Sequence, residues 1–278
     1  MRFGFVTCVQ LGLSCMEAID EVGGRLAVAA TLQDHLAREK SGRVYLDEFC
    51  GSRGIPLVKL RSINDPQALA ELARLELDWL FIIGWSQIAG PPVLALPAHG
   101  VIGMHPTLLP EGRGRAAIPW AILKGLDRTG VTMFKLDSGV DTGPIIAQIE
   151  IPLAPETDAA ELYEQVEKAH VALMREAFPL LAAGRLPLRE QDHSRATVWP
   201  GRKPEDGEID LAGSVADAER LVRAVTRPYP GAFFVRDGEK VIVWRARIAA
   251  QGAAAHEVLG FSDGALELLE TERIPLSR

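Results

Sequence analysis

Two short stretches of the chain concentrate side chains able to move a proton. In GVIGMHPTLLPEGRGRAAIPWAILKG, residues 100–125, His105 closes an apolar run and opens a loop marked by Pro106, Pro110 and Gly112. Imidazole, with an unperturbed pKa of about 6.5, both gives and takes a proton near neutrality. A histidine in such a loop can equally be a plain hydrogen bonder that stabilises the turn, and residue type alone leaves both roles open. In KLDSGVDTGPIIAQ, residues 135–148, glycines frame Asp141. A carboxylate that reaches His105 would orient the ring and stabilise its charged form. Asp-Ser-Gly and Asp-Thr-Gly also turn the chain through their own side-chain hydrogen bonds, and turn formation is the expectation for Asp137.

Both stretches follow apolar runs, so the chemistry is expected at strand ends. Residues 2–7 read as a buried strand and 11–22 as a helix, with Leu11, Leu13, Met16, Ile19 and Val22 as its apolar positions. The alternation continues through apolar runs at 26–32, 55–60 and 78–83, with a helix-like stretch from Val44 and a helix start at Asp65-Pro66. Strands follow at 100–104 and 130–136, a helix at 116–124, and one long helix at 156–181 introduced by Thr157-Asp158. Such alternation predicts an α/β fold: a Rossmann-like, mostly parallel sheet with helices on both faces. After Gly184 the pattern changes to linker sequence, then a helix near 215–225 and strands at 232–235 and 240–244. The expected organisation is a catalytic domain at 1–183, a linker at 184–196, and a small β-rich, barrel-like domain at 197–278.

Composition narrows the class. Hydrophobic residues are 47% and charged residues 24% of 278, values of a globular chain and not of a disordered or collagen-like one. The formal charge of −7 supplies no global basic field for a nucleic-acid backbone. Three cysteines, Cys8, Cys15 and Cys50, without a CxxC pair argue against a disulfide framework or structural zinc. With no secretory pattern at the start and no apolar run long enough to span a bilayer, a soluble cytoplasmic protein is the expectation. The first turn, Thr7 to Gly12, lacks GxGxxG, which sets a nicotinamide-binding Rossmann enzyme aside.

The ordered pair HPTLLPEGRGRAAIPWAIL and TGVTMFKLDSGVDTGPIIAQ resembles the folate-dependent formyltransferase family, whose motif is a His-Pro-Ser/Thr-Leu-Leu-Pro loop and an Asp-Thr/Ala-Gly loop. Further on, RLVRAVTRPYPGAFF and KVIVWRARI look like the small domain appended in methionyl-tRNA formyltransferases and in formyltransferases acting on amino sugars. The resemblance covers nearly the whole chain. It implies transfer of a formyl group from 10-formyltetrahydrofolate to a primary amine, without a metal, with His105 and Asp141 as the catalytic pair. It further implies a folate pocket at Ile82, Ile83, Gly84, Trp85, Ser86, Ile88, Leu136, Val140 and Asp141, and an acceptor side at Met104, Pro106, Thr107, Arg113 and Arg115. Arg113 and Arg115 carry forks that match phosphate oxygens, although Arg115 suits a carboxylate or a solvated loop equally well. Lys40-Ser41-Gly42-Arg43 is a second candidate anion site, or a solvated charge cluster. Trp120, Trp199 and His170 are expected to be packing, structural or surface residues.

One position departs from the family. An asparagine is expected two residues before the histidine, where its amide helps hold the oxyanion, but the chain reads Gly103-Met104-His105. Losing one such donor typically costs about 100- to 1000-fold in turnover. Protonated His105, a water admitted by Gly103, or a polar group from Ser86 or Gln87 could replace it. A nucleotide-linked amino sugar fits the acidic chain better than methionyl-tRNA; an amino acid acceptor, a catalytically impaired homologue and a homodimer stay open.

Overall fold

The computed structural model describes residues 1–36, 42–250 and 257–276. The chain opens with β1 (Phe3–Val6), α1 (Gln10–Glu21), β2 (Leu26–Leu32), α2 (Asp47–Arg53), β3 (Leu57–Leu60), α3 (Pro66–Ala73), β4 (Trp79–Ile82), α4 (Pro91–Leu94) and β5 (Gly100–His105). It continues with β6 (Arg113–Gly114), α5 (Ala117–Leu123), β7 (Arg128–Lys135), β8 (Ile145–Pro152) and α6 (Ala159–Ala182). Last come β9 (Val198–Trp199), α7 (Val215–Val225), β10 (Ala232–Arg236), β11 (Glu239–Ile248), β12 (Val258–Phe261) and β13 (Gly264–Pro275).

Seven strands form one sheet in the order β3-β2-β1-β4-β5-β7-β8. From β3 to β5 the neighbours are parallel, which requires the intervening helices as crossovers. Strand alternation splits the core. Phe3 and Phe81 point to the face where Phe178 of α6 packs at ring separations of 4.8 and 6.3 Å. Val6, Leu80 and Ile82 point to the other face, against Ala68 and Leu72 of α3 and Val93 of α4. Helices therefore cover both faces, as the pattern predicts. The sequence reading differs in two places. The strand beginning near Gly130 runs antiparallel to β5, with Gly103 opposite Phe134 and His105 opposite Thr132. The segment after the Asp141 loop, to which the sequence reading gave no element, turns directly into β8, because Ile145, Ile146 and Ile151 find burial there.

The contacts group the chain into two compact units: Met1–Arg113, Gly130–Ile151 and Val166–Val198 in one, and Gly114–Thr129, Pro152–Gln165 and Trp199–Arg278 in the other. In the second, β10-β11-β13-β12 form an antiparallel half-barrel sheet. Ser214 caps α7, its hydroxyl accepting from the Asp217 amide at 3.0 Å. Trp120 donates Nε1–H to the Pro200 carbonyl at 2.8 Å, and Trp199 is buried. All three cysteines are buried thiols outside any disulfide. Burial pushes the Cys50 thiol up to about 11 and raises Cys15 further still.

Candidate active site

β5 delivers His105 because its neighbours β4 and β7 bury the whole GVIGMH run except half-buried Met104. The ring is 8% exposed, and its Nε2 donates to the Gly112 carbonyl at 2.8 Å. A carbonyl only accepts, so Nε2 carries the hydrogen and the exchangeable nitrogen is Nδ1. Nδ1 faces Asp141 Oδ2 at 3.6 Å. A proton arriving at Nδ1 creates an imidazolium beside a carboxylate, which is the pairing expected from the two loops, though longer than a direct hydrogen bond.

The loop after His105 is tied to the sheet by Thr132. That hydroxyl donates to the Thr107 carbonyl at 2.7 Å and accepts from the Leu109 amide at 3.0 Å and from Gln148 Nε2 at 2.9 Å. Pro106 is half-buried and Thr107 buried. In the second loop Asp137 makes the expected turn, its Oδ1 accepting from the Gly139 amide at 3.0 Å and the Thr142 hydroxyl at 2.6 Å. Asp141 itself sits at φ +54°, a left-handed conformation that aspartate tolerates better than most residues. Gly143 is required, since a Cβ there would collide with the Lys135 carbonyl.

Arg113, considered on sequence as a phosphate ligand, is 7% exposed and engaged internally. Its Nε and Nη2 donate to Gln191 Oε1 at 3.2 and 2.6 Å, and Nη2 also donates to His193 Nδ1 at 2.9 Å. Gln191 in turn donates Nε2–H to the carbonyls of Asp141 and Gly143 at 2.9 and 2.7 Å. Sequence reasoning missed Gln191, His193 and Thr132. Their partners lie far along the chain, and only the polar run REQDHSR hinted at the first two. Arg115 is exposed, and its backbone N–H donates to the Trp199 carbonyl at 3.1 Å.

The residues expected around folate divide by exposure. Ile82 and Ile83 are buried, Gly84 takes φ +65° where a Cβ would collide with Val9, Trp85 and Leu136 are half-buried, Ser86 is exposed, and Ile88 and Val140 are 80% and 56% exposed. Gln87 is committed elsewhere, accepting from the Ile63 amide at 3.0 Å and donating to the Arg61 carbonyl at 3.4 Å. It is therefore not the substitute for the missing amide. At Gly103 a Cβ would meet Leu136 Cδ2 at 2.7 Å, so leucine methyls fill the direction in which an asparagine would grow. His170 is fully enclosed and donates Nδ1–H to the Val166 carbonyl at 2.7 Å. Lys40 and Ser41 lie outside the described residues, while Arg43 pairs with Asp34 and stacks on Tyr45.

Residues 24–178 match the family described as formyl transferase, and residues 202–273 match the formyl transferase C-terminal domain. The chain belongs to the formyl transferase family. Three solved structures share the formyltransferase's fold. Methionyl-tRNA formyltransferase from Clostridium thermocellum is 16% identical with a TM-score of 0.67, covering 99% of each chain. A sugar N-formyltransferase from Shewanella is 17% identical with a TM-score of 0.70, over 91% of this chain and 99% of that one. HypX from Aquifex aeolicus in complex with tetrahydrofolic acid is 20% identical with a TM-score of 0.69; the formyltransferase is covered over 99% of its length but spans only 46% of HypX. The protein is thus a folate-dependent, formyl-transferring enzyme. Among the described residues of the formyltransferase, no group of three or more His, Cys, Asp or Glu side chains is arranged to hold a metal, and no helix is long and apolar enough to cross a membrane.

Proposed function

We propose that the formyltransferase formylates the primary amine of a nucleotide-linked amino sugar, with residues 1–183 carrying the chemistry. The observation that carries this reading is the state of the arginines in the second unit. Arg220, Arg223, Arg227, Arg236, Arg247 and Arg273 are each held by a carboxylate of the same unit, so their charge is cancelled locally. Residues 197–278 carry 11 Lys and Arg against 13 Asp and Glu. Engaging tRNA requires cations free to displace counterions from many phosphates, whereas a nucleotide diphosphate needs only one or two. Arg115 is exposed, without an ion pair to any described residue, and we assign it to the acceptor phosphate.

The pocket residues suit the donor. Trp85 Nε1 and Thr107 Oγ1 are buried polar atoms that lack a partner among the described residues, a condition costly unless a ligand satisfies it. The turn from Ile82 to Ile88, with Leu136, Val140 and Asp141, would hold the pteridine on apolar walls and backbone groups. When bound, 10-formyltetrahydrofolate supplies an electrophilic formyl carbon. His105 Nδ1 takes the proton that the attacking amine must lose, Asp141 stabilises the resulting imidazolium, and the proton goes on to the folate nitrogen as its bond to the formyl carbon breaks. Met104, Pro106 and Thr107 border the acceptor. Leu136 beside Gly103 offers the oxyanion no hydrogen, and we assign the substitute donor to the Thr107 hydroxyl, which is without a partner among the described residues.

The test incubates the enzyme with 10-formyltetrahydrofolate and a panel of nucleotide-linked amino sugars, amino acids and methionyl-tRNA. Mass spectrometry then looks for products heavier by one carbonyl. Product from a nucleotide-linked amino sugar supports the assignment; product only from methionyl-tRNA overturns it, and turnover of no amine favours an impaired homologue.

A further inference from the structure

The segment read from sequence as a linker, residues 184–196, contains Gln191, which is 5% exposed and has both polar atoms of its side chain engaged. We infer that Gln191 is a positioning residue that sets the separation between Asp141 and His105; this rests on the reading of those two as the catalytic pair. On one side its Nε2 donates to the carbonyls of Asp141 and Gly143. These bonds hold the one residue of the loop forced into the left-handed region, the conformation that turns the carboxylate toward Nδ1. On the other side its Oε1 takes the Arg113 fork. Arg113 directly follows Gly112, whose carbonyl receives His105 Nε2–H and whose amide donates to the Thr197 hydroxyl at 2.8 Å. One side-chain amide thus links the backbone of the carboxylate loop to the backbone that holds the imidazole.

Only glutamine meets both demands. Glutamate would keep the shape and strengthen the contact with Arg113, but its oxygens would face two carbonyls with no hydrogen to give. Asparagine, one methylene shorter, could reach only one side.

Gln191→Glu separates positioning from folding. We expect kcat to fall roughly 10- to 100-fold, the loss typical of sub-ångström misplacement in a reacting pair, with the KM for donor and acceptor within about threefold of the parent. The melting temperature should fall only by the amount two carbonyls left without a donor would cost, because the Arg113 contact survives, and the same fall should appear in the Asp141→Asn background. In the Asp141→Asn background the same change should cost nothing further, since residues acting as a unit are not additive. Equal losses in both backgrounds, or unchanged kcat in Gln191→Glu, overturn the inference. Full activity in Asp141→Asn alone overturns instead the catalytic pair on which it rests. If Gln191→Glu does not fold, Arg113→Lys, which replaces the two-donor fork by a single ammonium, carries the same comparison.

Discussion

A side chain on Gly103 would compete with Leu136, whose Cδ2 lies 2.7 Å from the position of the absent Cβ. Restoring an amide is therefore a two-residue problem. Gly103→Asn alone should destabilise by about 1–3 kcal/mol through overpacking and should lower turnover. In combination with Leu136→Ala the cost should be smaller than the sum of the single changes by at least about 1 kcal/mol, the mark of a shared space. Denaturant unfolding of the four proteins measures that coupling, and initial rates show whether the amide, once accommodated, contributes to turnover.

His105→Asn and Asp141→Asn should each lower kcat by about 100- to 10,000-fold with unchanged far-ultraviolet circular dichroism. Asparagine is the informative replacement at Asp141, because it tolerates φ +54° and removes only the charge. Alanine there would add backbone strain to the chemical loss.

Arg113 and Arg115 should separate cleanly. Arg113→Met leaves Gln191 Oε1 buried without a donor and should cost about 1–3 kcal/mol of stability. Arg115→Ala should leave the unfolding midpoint in place and raise the acceptor KM, an effect that phosphate-free amine analogues should not show. Calorimetry and steady-state kinetics on the two variants check this.

Burial holds His170 down from 6.5 to about 4, against the opposing bond to the Val166 carbonyl and with a smaller lowering from His105. The unfolded chain therefore binds a proton near pH 6.5 that the folded chain refuses until about pH 4. Stability attributable to this residue is complete above about pH 6.5 and is lost as pH falls toward 4, on the order of 3 kcal/mol in all. In His170→Gln that part of the slope should vanish from a plot of melting temperature against pH.

Periodicity carried much of the fold. The parallel run from β1 to β5 was legible because each strand is short, apolar and followed by helical spacing, and Asp137 announced its turn through Asp-Ser-Gly. The reversal of β7 was not, since an apolar run has no intrinsic direction. β8 was hidden because its first residues belong to the same Gly- and Pro-rich string as the Asp141 loop. In the candidate site, His105 and Asp141 stood out by type and punctuation. Gln191 did not, because its importance lies in bonds to residues 48 to 78 positions away. Leu136 was named for the folate wall, but its occupation of the space beside Gly103 depends on the register between β5 and β7.

The three enclosed thiols should react slowly with maleimides at neutral pH, for the thiolate is the reacting form, all three are buried, and burial disfavours the thiolate at Cys15 and Cys50. A fluorophore attached through Ile88→Cys, at a side chain 80% exposed on the loop after β4, would thus report from one known point on the surface. The native protein is in this sense already prepared for optical titration.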